Sequence, residues 1–378
     1  MSFVLTEDQQ MLRDTAEAFA RDELPLTHFR KLRDSGANGN DADARAKLAE
    51  LGFYGVLVPE AHGGSEFGMV GMGQIMEAQG RTLASTGLLQ TAVIGASTLS
   101  IAGSPEQQAE WLPKIAAGEI STALALDERS HHSPTEIATE AESNGQGYTL
   151  NGAKRFVPDG HFADVFIVAA RTFGNPGNTH GITLFLVPKD AAGVTVTPLE
   201  TVDTHGAAHL TFENVAVPSS HIIGAVDEGY GVLDVVLDRA RIALAAEMLG
   251  STKAAFEMTL EYLQTRKQFG QLIGSFQALQ HRAAIMFSEL ELTGSAVSAA
   301  LTAVDQNRND LNQLASLAKA RASETVHLVS NETVQMHGGI GMTDAHDSGF
   351  FLKRARVQEA LYGGESFHRD RFARLNGF

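Results

Sequence analysis

Residues 107–125 read QQAEWLPKIAAGEISTALA, and the spacing of apolar side chains changes inside this stretch. Up to Ala117 they recur at helical intervals. After Gly118 they fall in short runs rich in Val, Ile, Thr and Phe, with turn residues about every ten positions, which is a strand pattern. Upstream, Thr6 and Gln9 have capping-box spacing ahead of Leu12, Ala16, Phe19, Ala20 and Leu24. Residues 44–51 and 71–83 carry the same helical period, separated by breakers at 59–64 and 103–105. Downstream, Asn151 and Gly152 stand between two β-like runs and predict a type I′ hairpin turn, because both residues tolerate positive φ. Residues 163–170, 182–187, 193–197 and 209–217 continue the strand pattern. From Tyr230 the helical period returns, and 232–249, 252–265, 276–304 and 311–336 predict four long helices, with Gly250 and Gly270 as interruptions. The expected architecture is α+β and multidomain: an N-terminal helical domain (1–118), a central β-barrel or sandwich domain (119–226) and a C-terminal four-helix bundle (227–378).

The chain has 378 residues with 45 Asp+Glu against 29 Lys+Arg, a formal net charge of −16. Charge of that sign repels phosphate backbones and anionic lipid, which argues against nucleic-acid and membrane-surface roles. The absence of cysteine removes disulfides, thiolate nucleophiles, iron–sulfur clusters and thiolate zinc sites. Catalysis must then rest on carboxylate, imidazole, hydroxyl or a bound cofactor. The first residues show no basic segment followed by an apolar run, and no stretch approaches the roughly 18 apolar residues of a membrane span, so a cytoplasmic protein is expected.

Two glycine-containing motifs stand at predicted helix ends. Residues 335–342 read QMHGGIGM and 266–270 read RKQFG. Glycine lets a backbone approach a phosphate closely, but it is also the commonest helix terminator, and basic residues at a helix end also complement the macrodipole. Taken in order with LGFYGVLVPE at 51–60, Gly63–Gly64, WLPK at 111–114, FENVAVP at 212–218 and Gln277, they make almost the whole chain resemble the acyl-CoA dehydrogenase family.

That resemblance implies a flavoprotein with FAD that oxidises an acyl thioester, such as a fatty acyl or steroid side-chain CoA, to the 2,3-enoyl-CoA. A carboxylate takes the α-proton and flavin N5 takes the β-hydride. Each FAD is shared between subunits in the family, and carried over here Arg266, Gln268, Phe269, Gln335, Gly338 and Gly339 form the ADP cradle offered to a neighbour. The Arg266 guanidinium suits paired contact with pyrophosphate oxygens. Asp238 and Arg241 match the polar positions of the stretch that meets the acyl-CoA, against the alternative of a solvated helix face. Electron-transferring flavoprotein is the implied acceptor.

The chain departs from the family where the base belongs. One family base position falls on Tyr362, or Gly363 with one gap, and the other on Ala240. Neither alanine nor glycine accepts a proton, and the tyrosine phenol has an ordinary pKa of about 10. Glu247 lies seven residues after Ala240, about 10 Å along the helix axis. Glu365 lies three residues after Tyr362. Both are displaced candidates, against a salt-bridged or solvated carboxylate. The flavin-facing stretch departs as well: Asp127 replaces a threonine, setting negative charge where a reduced flavin gathers its own, and Phe156 and Pro158 stand in a family Trp-Ile-Thr-Asn run. His131 and His132 are adjacent and on a strand point to opposite faces, so no metal site is expected.

The ADP cradle is intact while the isoalloxazine half and the base are degraded, the asymmetry of a partner subunit. The leading expectation is a chain that supplies the ADP-binding half of a shared FAD site to a homologous, catalytically complete subunit in a heterotetramer. The alternatives are a self-sufficient homo-oligomeric acyl-CoA dehydrogenase with a displaced base, a flavin monooxygenase on the same fold, and a non-catalytic scaffold.

Overall fold

The computed structural model describes residues 4–378. In chain order they form α1 (Glu7–Glu23), α2 (Leu26–Asp34), α3 (Ala42–Glu50), α4 (Gly68–Thr82), a π-helical stretch (Leu89–Gly95), α5 (Ala96–Ala102) and α6 (Pro105–Ala116). Strands follow: β1 (Thr122–Ala125), β2 (Glu140–Ser143), β3 (Gly147–Pro158), β4 (Val165–Arg171), β5 (Ile182–Pro188), β6 (Val194–Leu199), β7 (Ala207–Pro218) and β8 (Ile222–Ile223). Then come α7 (Gly229–Thr265), a hairpin of β9 (Lys267–Gln268) and β10 (Gln271–Leu272), α8 (Gln277–Asp305), α9 (Leu311–His337), α10 (Ser348–Ala360) and α11 (Glu365–Leu375). The chain divides into two compact units. One, the helical unit, takes the chain up to Lys31, Met69–Ala84 and Arg241–Phe378; the other, the β unit, takes Leu32–Gly68 and Ser85–Ala240.

In the helical unit, α1 starts where its capping box places it. The Thr6 amide donates to Gln9 Oε1 at 3.0 Å and the Gln9 amide to Thr6 Oγ1 at 3.2 Å. The expected break at Gly250 does not occur, because α7 runs unbroken for 37 residues. A Cβ at Gly250 would stand 1.9 Å from the Glu77 carbonyl oxygen, and one at Gly80 would stand 2.0 Å from that of Glu247. The two glycines let α4 and α7 touch backbone to backbone, so Gly250 marks a contact rather than a stop. Three long helices of 37, 29 and 27 residues therefore replace the four expected, with the shorter α10 and α11 completing the unit.

The β unit is built on an eight-stranded sheet in the order β6-β7-β3-β2-β4-β5-β8, with β1 parallel to β4. The hairpin expected at Asn151–Gly152 is absent. β3 runs straight through both residues, pairing with β2 on one edge and β7 on the other. The register slips between Leu150 and Gly152, whose φ is 148°, so this Asn-Gly pair makes a β-bulge instead of a turn. The turn stands seven residues earlier, at Asn144–Gly145, where the Asn144 amide donates to the Gly147 carbonyl at 3.1 Å and Gly145 has a φ of +85°. Phe166, Phe185 and Phe212 fill the core beside Val168, Leu210 and Val217. Each buried phenylalanine contributes about 2–3 kcal/mol of transfer free energy. Among the described residues no helix is long and apolar enough to cross a membrane.

Candidate functional site

Both glycine motifs lie at one end of the helical unit. After α7, the β9–β10 hairpin turns on Phe269 (φ +51°) and Gly270 (φ +79°), and the Ile273 amide closes it on the Arg266 carbonyl at 2.9 Å. α9 ends at His337, and Gly338, at a φ of +62°, turns the chain away. A three-ring stack ties the two ends together: Tyr262, one turn before Arg266, lies 4.4 Å from the His337 ring, which lies 4.3 Å from His346. The side chains of Arg266, Gln268, Phe269 and Gln335 are exposed, with Phe269 at 90%. Cβ atoms built at Gly270, Gly338 or Gly339 would meet nothing within 4 Å, so the backbone there is open to a close approach.

Beside this opening, His337 Nδ1 donates to the Thr333 carbonyl at 2.6 Å, since a carbonyl only accepts. Burial holds the imidazole below the usual histidine range and therefore neutral. Its Nε2 is then a lone-pair acceptor, buried and without a partner among the described residues. An exposed guanidinium, an open glycine pair and an unmatched acceptor fit the phosphates and hydroxyls of an ADP portion.

Neither displaced carboxylate stands idle. Glu247 Oε1 accepts from Arg354 Nη2 at 2.5 Å, Arg354 Nε at 3.1 Å and Gln358 Nε2 at 2.9 Å, all buried. Glu365 opens α11 and pairs with Arg369 Nε at 3.0 Å, and Arg369 also binds Glu324. Ala240 is fully buried. Tyr362 and Gly363 form a bend between α10 and α11 at φ values of +56° and +106°. Asp238 and Arg241 are each only 1% exposed, which removes the solvated-face reading of both. Arg241 Nε donates to the Tyr362 carbonyl at 3.2 Å, and its guanidinium lies 5.6 Å from the centre of the Phe367 ring.

The bend is surrounded by groups that sequence reasoning passed over. Lys319 sits in an alanine-rich helical run that gives no sign of chemistry, yet it is fully buried. Its Nζ donates to Ser323 Oγ at 3.1 Å and to the carbonyls of Gln358, Glu359 and Gly363 at 3.0, 3.2 and 3.1 Å. His368 Nε2 donates to the Tyr362 carbonyl at 3.1 Å.

In the β unit the degraded stretch bonds to itself. Asp127 Oδ2 accepts from His132 Nδ1 at 2.9 Å and Oδ1 from the Ser133 amide at 3.0 Å. Burial alone would raise the Asp127 pKa, but the His132 ring and the Ser133 amide outweigh it and hold the carboxyl below its ordinary range. The isolated negative charge expected at Asp127 is thus answered by His132. Glu128 takes the amides of Ala138 and Thr139, the Thr139 hydroxyl and the buried Lys154 ammonium at 2.6 Å. The amides of Ser133, Ala138 and Thr139 are therefore spent on the loop's own carboxylates, and Pro158 has no N–H to give. The stretch lacks the threonine and tryptophan that the family resemblance sets against the isoalloxazine.

Three family models match consecutive stretches of the chain: acyl-CoA dehydrogenase N-terminal domain at residues 6–119, middle domain at 123–215 and C-terminal domain at 227–375. The probable acyl-CoA dehydrogenase YngJ of Bacillus subtilis is 33% identical over 375 residues, which cover 98% of each chain. Among solved structures, butyryl-CoA dehydrogenase from Megasphaera elsdenii superposes with a TM-score of 0.90 at 25% identity over all of both chains. The ChsE4-ChsE5 complex from Mycobacterium tuberculosis superposes with a TM-score of 0.89 at 28% identity over the same full coverage.

Proposed function

Because the chain belongs to the acyl-CoA dehydrogenase family of FAD-dependent oxidoreductases, we propose that it is the partner subunit of a heteromeric acyl-CoA dehydrogenase. Its role is to supply the ADP-binding half of a shared FAD site to a homologous chain that holds the isoalloxazine and the base. The observation that carries this reading is the contrast between two halves of one cofactor site. The cradle of Arg266, Gln268, Phe269, Gln335, Gly338 and Gly339 is open, whereas the Asp127–Thr139 stretch is closed on itself and no carboxylate stands at either base position. The similarity to a solved two-protein complex, ChsE4-ChsE5, supports it.

In this reading the chain works as three functional parts, 1–118, 119–226 and 227–378, in the cytoplasm. FAD, when bound, accepts the β-hydride. This chain's residues would hold its ADP portion: the exposed Arg266 guanidinium would meet the pyrophosphate, and the open backbone at Gly338 and Gly339 would allow a close approach. Asp238 and Arg241 stand at the polar positions of the stretch that meets the acyl-CoA, and electron-transferring flavoprotein takes the electrons. Co-expression with a homologous chain that carries the base glutamate tests the reading. A heterotetramer with flavin is expected, and Arg266→Ala or Gly339→Val in this chain should strip that flavin without dissociating the assembly. A complex that keeps its full flavin with both variants, or no complex at all, would overturn it.

A further inference from the structure

The bend at residues 361–364 is where the family reading puts the base, and here it is fixed through its main chain. Lys319 from α9 reaches three carbonyl oxygens, of Gln358, Glu359 and Gly363, while Arg241 from α7 and His368 from α11 both reach the Tyr362 carbonyl. Three donor groups from three helices thus make five hydrogen bonds to one turn. The Lys319 acceptors include no carboxylate; the nearest negative charge acting on it is Glu359 on α10, opposed by Arg241.

The bend is also closed to a side chain at its centre. A Cβ on Gly363 would stand 2.4 Å from Phe367 Cδ1 and 2.9 Å from His368 Nε2, whereas one on Gly364 would have only the Glu359 carbonyl oxygen, at 3.7 Å.

We propose that Lys319 is the positioning residue of this bend: with Arg241 and His368 it holds the main-chain carbonyls in place, and the bend opens only when the lysine is released to water. The proposal takes from the family reading only the identity of the bend, so it stands or falls on the chain by itself.

Closing the bend confines the lysine among helices. Burial, and next the Arg241 charge, push its ammonium down to about 7. Burial, and next Arg241 and Lys319, push the His368 imidazole far down, so it remains a neutral donor through Nε2. The open form, with Lys319 in water, binds its proton more tightly. Above about pH 7 the enclosed amine is neutral and keeps two N–H for the surrounding carbonyls while its lone pair accepts from the Ser323 hydroxyl; opening is favoured by protonation, and closure gains as pH rises toward the ordinary lysine value of about 10.4.

Hydrogen exchange read by mass spectrometry tests this on the full chain without flavin or substrate. The reporters are the Leu361, Gly363 and His368 amides, bonded to the carbonyls of Val357, Ala360 and Gly364. After correction for intrinsic rates, wild-type protection of the 358–368 segment should rise between pH 7.5 and 9.5, by up to about tenfold per unit. Lys319→Met should lose at least about tenfold of that protection and all of its pH slope, with β-unit peptides unchanged. Unchanged protection in Lys319→Met, or a slope that survives the substitution, would overturn the proposal. Should the variant not fold, a flat wild-type profile over the same range would overturn it. Neither outcome touches the heteromer reading, which flavin content decides.

Discussion

Removing the carboxylate of Glu247 should damage the helical unit more than any other single carboxylate loss in it. Glu247 Oε1 gathers both Arg354 Nη2 and Nε and the Gln358 amide, and the Glu247 and Arg354 side chains are 8% and 9% exposed. At a separation near 3 Å and an effective dielectric of about 20, the gross Coulomb attraction is about 5 kcal/mol. Desolvation of both ions cancels much of this, so the pair itself adds little net stability. Glu247→Ala, however, leaves the Arg354 guanidinium buried and uncompensated, which costs about 3–5 kcal/mol. Urea unfolding followed by circular dichroism at 222 nm reads chiefly the helical unit, which holds most of the helical residues, and the fluorescence of the single tryptophan, Trp111, reads the β unit. Glu247→Ala and Arg354→Ala should each lower stability by that amount, and the double variant Glu247→Leu/Arg354→Met should recover most of the loss. Single variants within about 1 kcal/mol of wild type would refute the reasoning and return Glu247 to the pool of available bases.

Gly363→Ala should cost about 1–3 kcal/mol, since φ is +106° and the new methyl meets Phe367, while Gly364→Ala should stay within about 0.5 kcal/mol; the same unfolding assay separates them. Lys154→Met leaves the Glu128 carboxylate without its buried cation and should destabilise the β unit by about 3 kcal/mol, read by Trp111 fluorescence in urea. Asp127 has its pKa lowered on folding, so its stabilising contribution is present above the ordinary value of about 3.9 and is lost as pH falls through the lower folded value. Asp127→Asn should therefore flatten the acid limb of the β unit's stability profile, and an unchanged limb would contradict the Asp127–His132 assignment.

The period change at Gly118 and the return of helical spacing after Tyr230 were enough to place helix, sheet and helix in order, because amphipathic spacing is a local property. What local reading lacked was the partner. Gly250 looks like a helix breaker until the Glu77 backbone is beside it, and Asn151–Gly152 looks like a turn until β7 pairs along it. The same limit applies to the site. The cradle motifs are legible because each is a short run of sequence neighbours, 266–270 and 335–342. The bend is not: Lys319 gains its meaning from carbonyls 39 to 44 residues away, and Asp127 reads as a bare charge until His132 folds back onto it.

The central claim is that this chain completes a cofactor site in a partner and not in itself. The most direct measurement is the flavin content and solution mass of the chain expressed alone, by absorbance of the purified protein and light scattering. The account predicts little bound FAD and no reduction of an electron acceptor by acyl-CoA. A homo-oligomer carrying one FAD per chain and turning over acyl-CoA would contradict it.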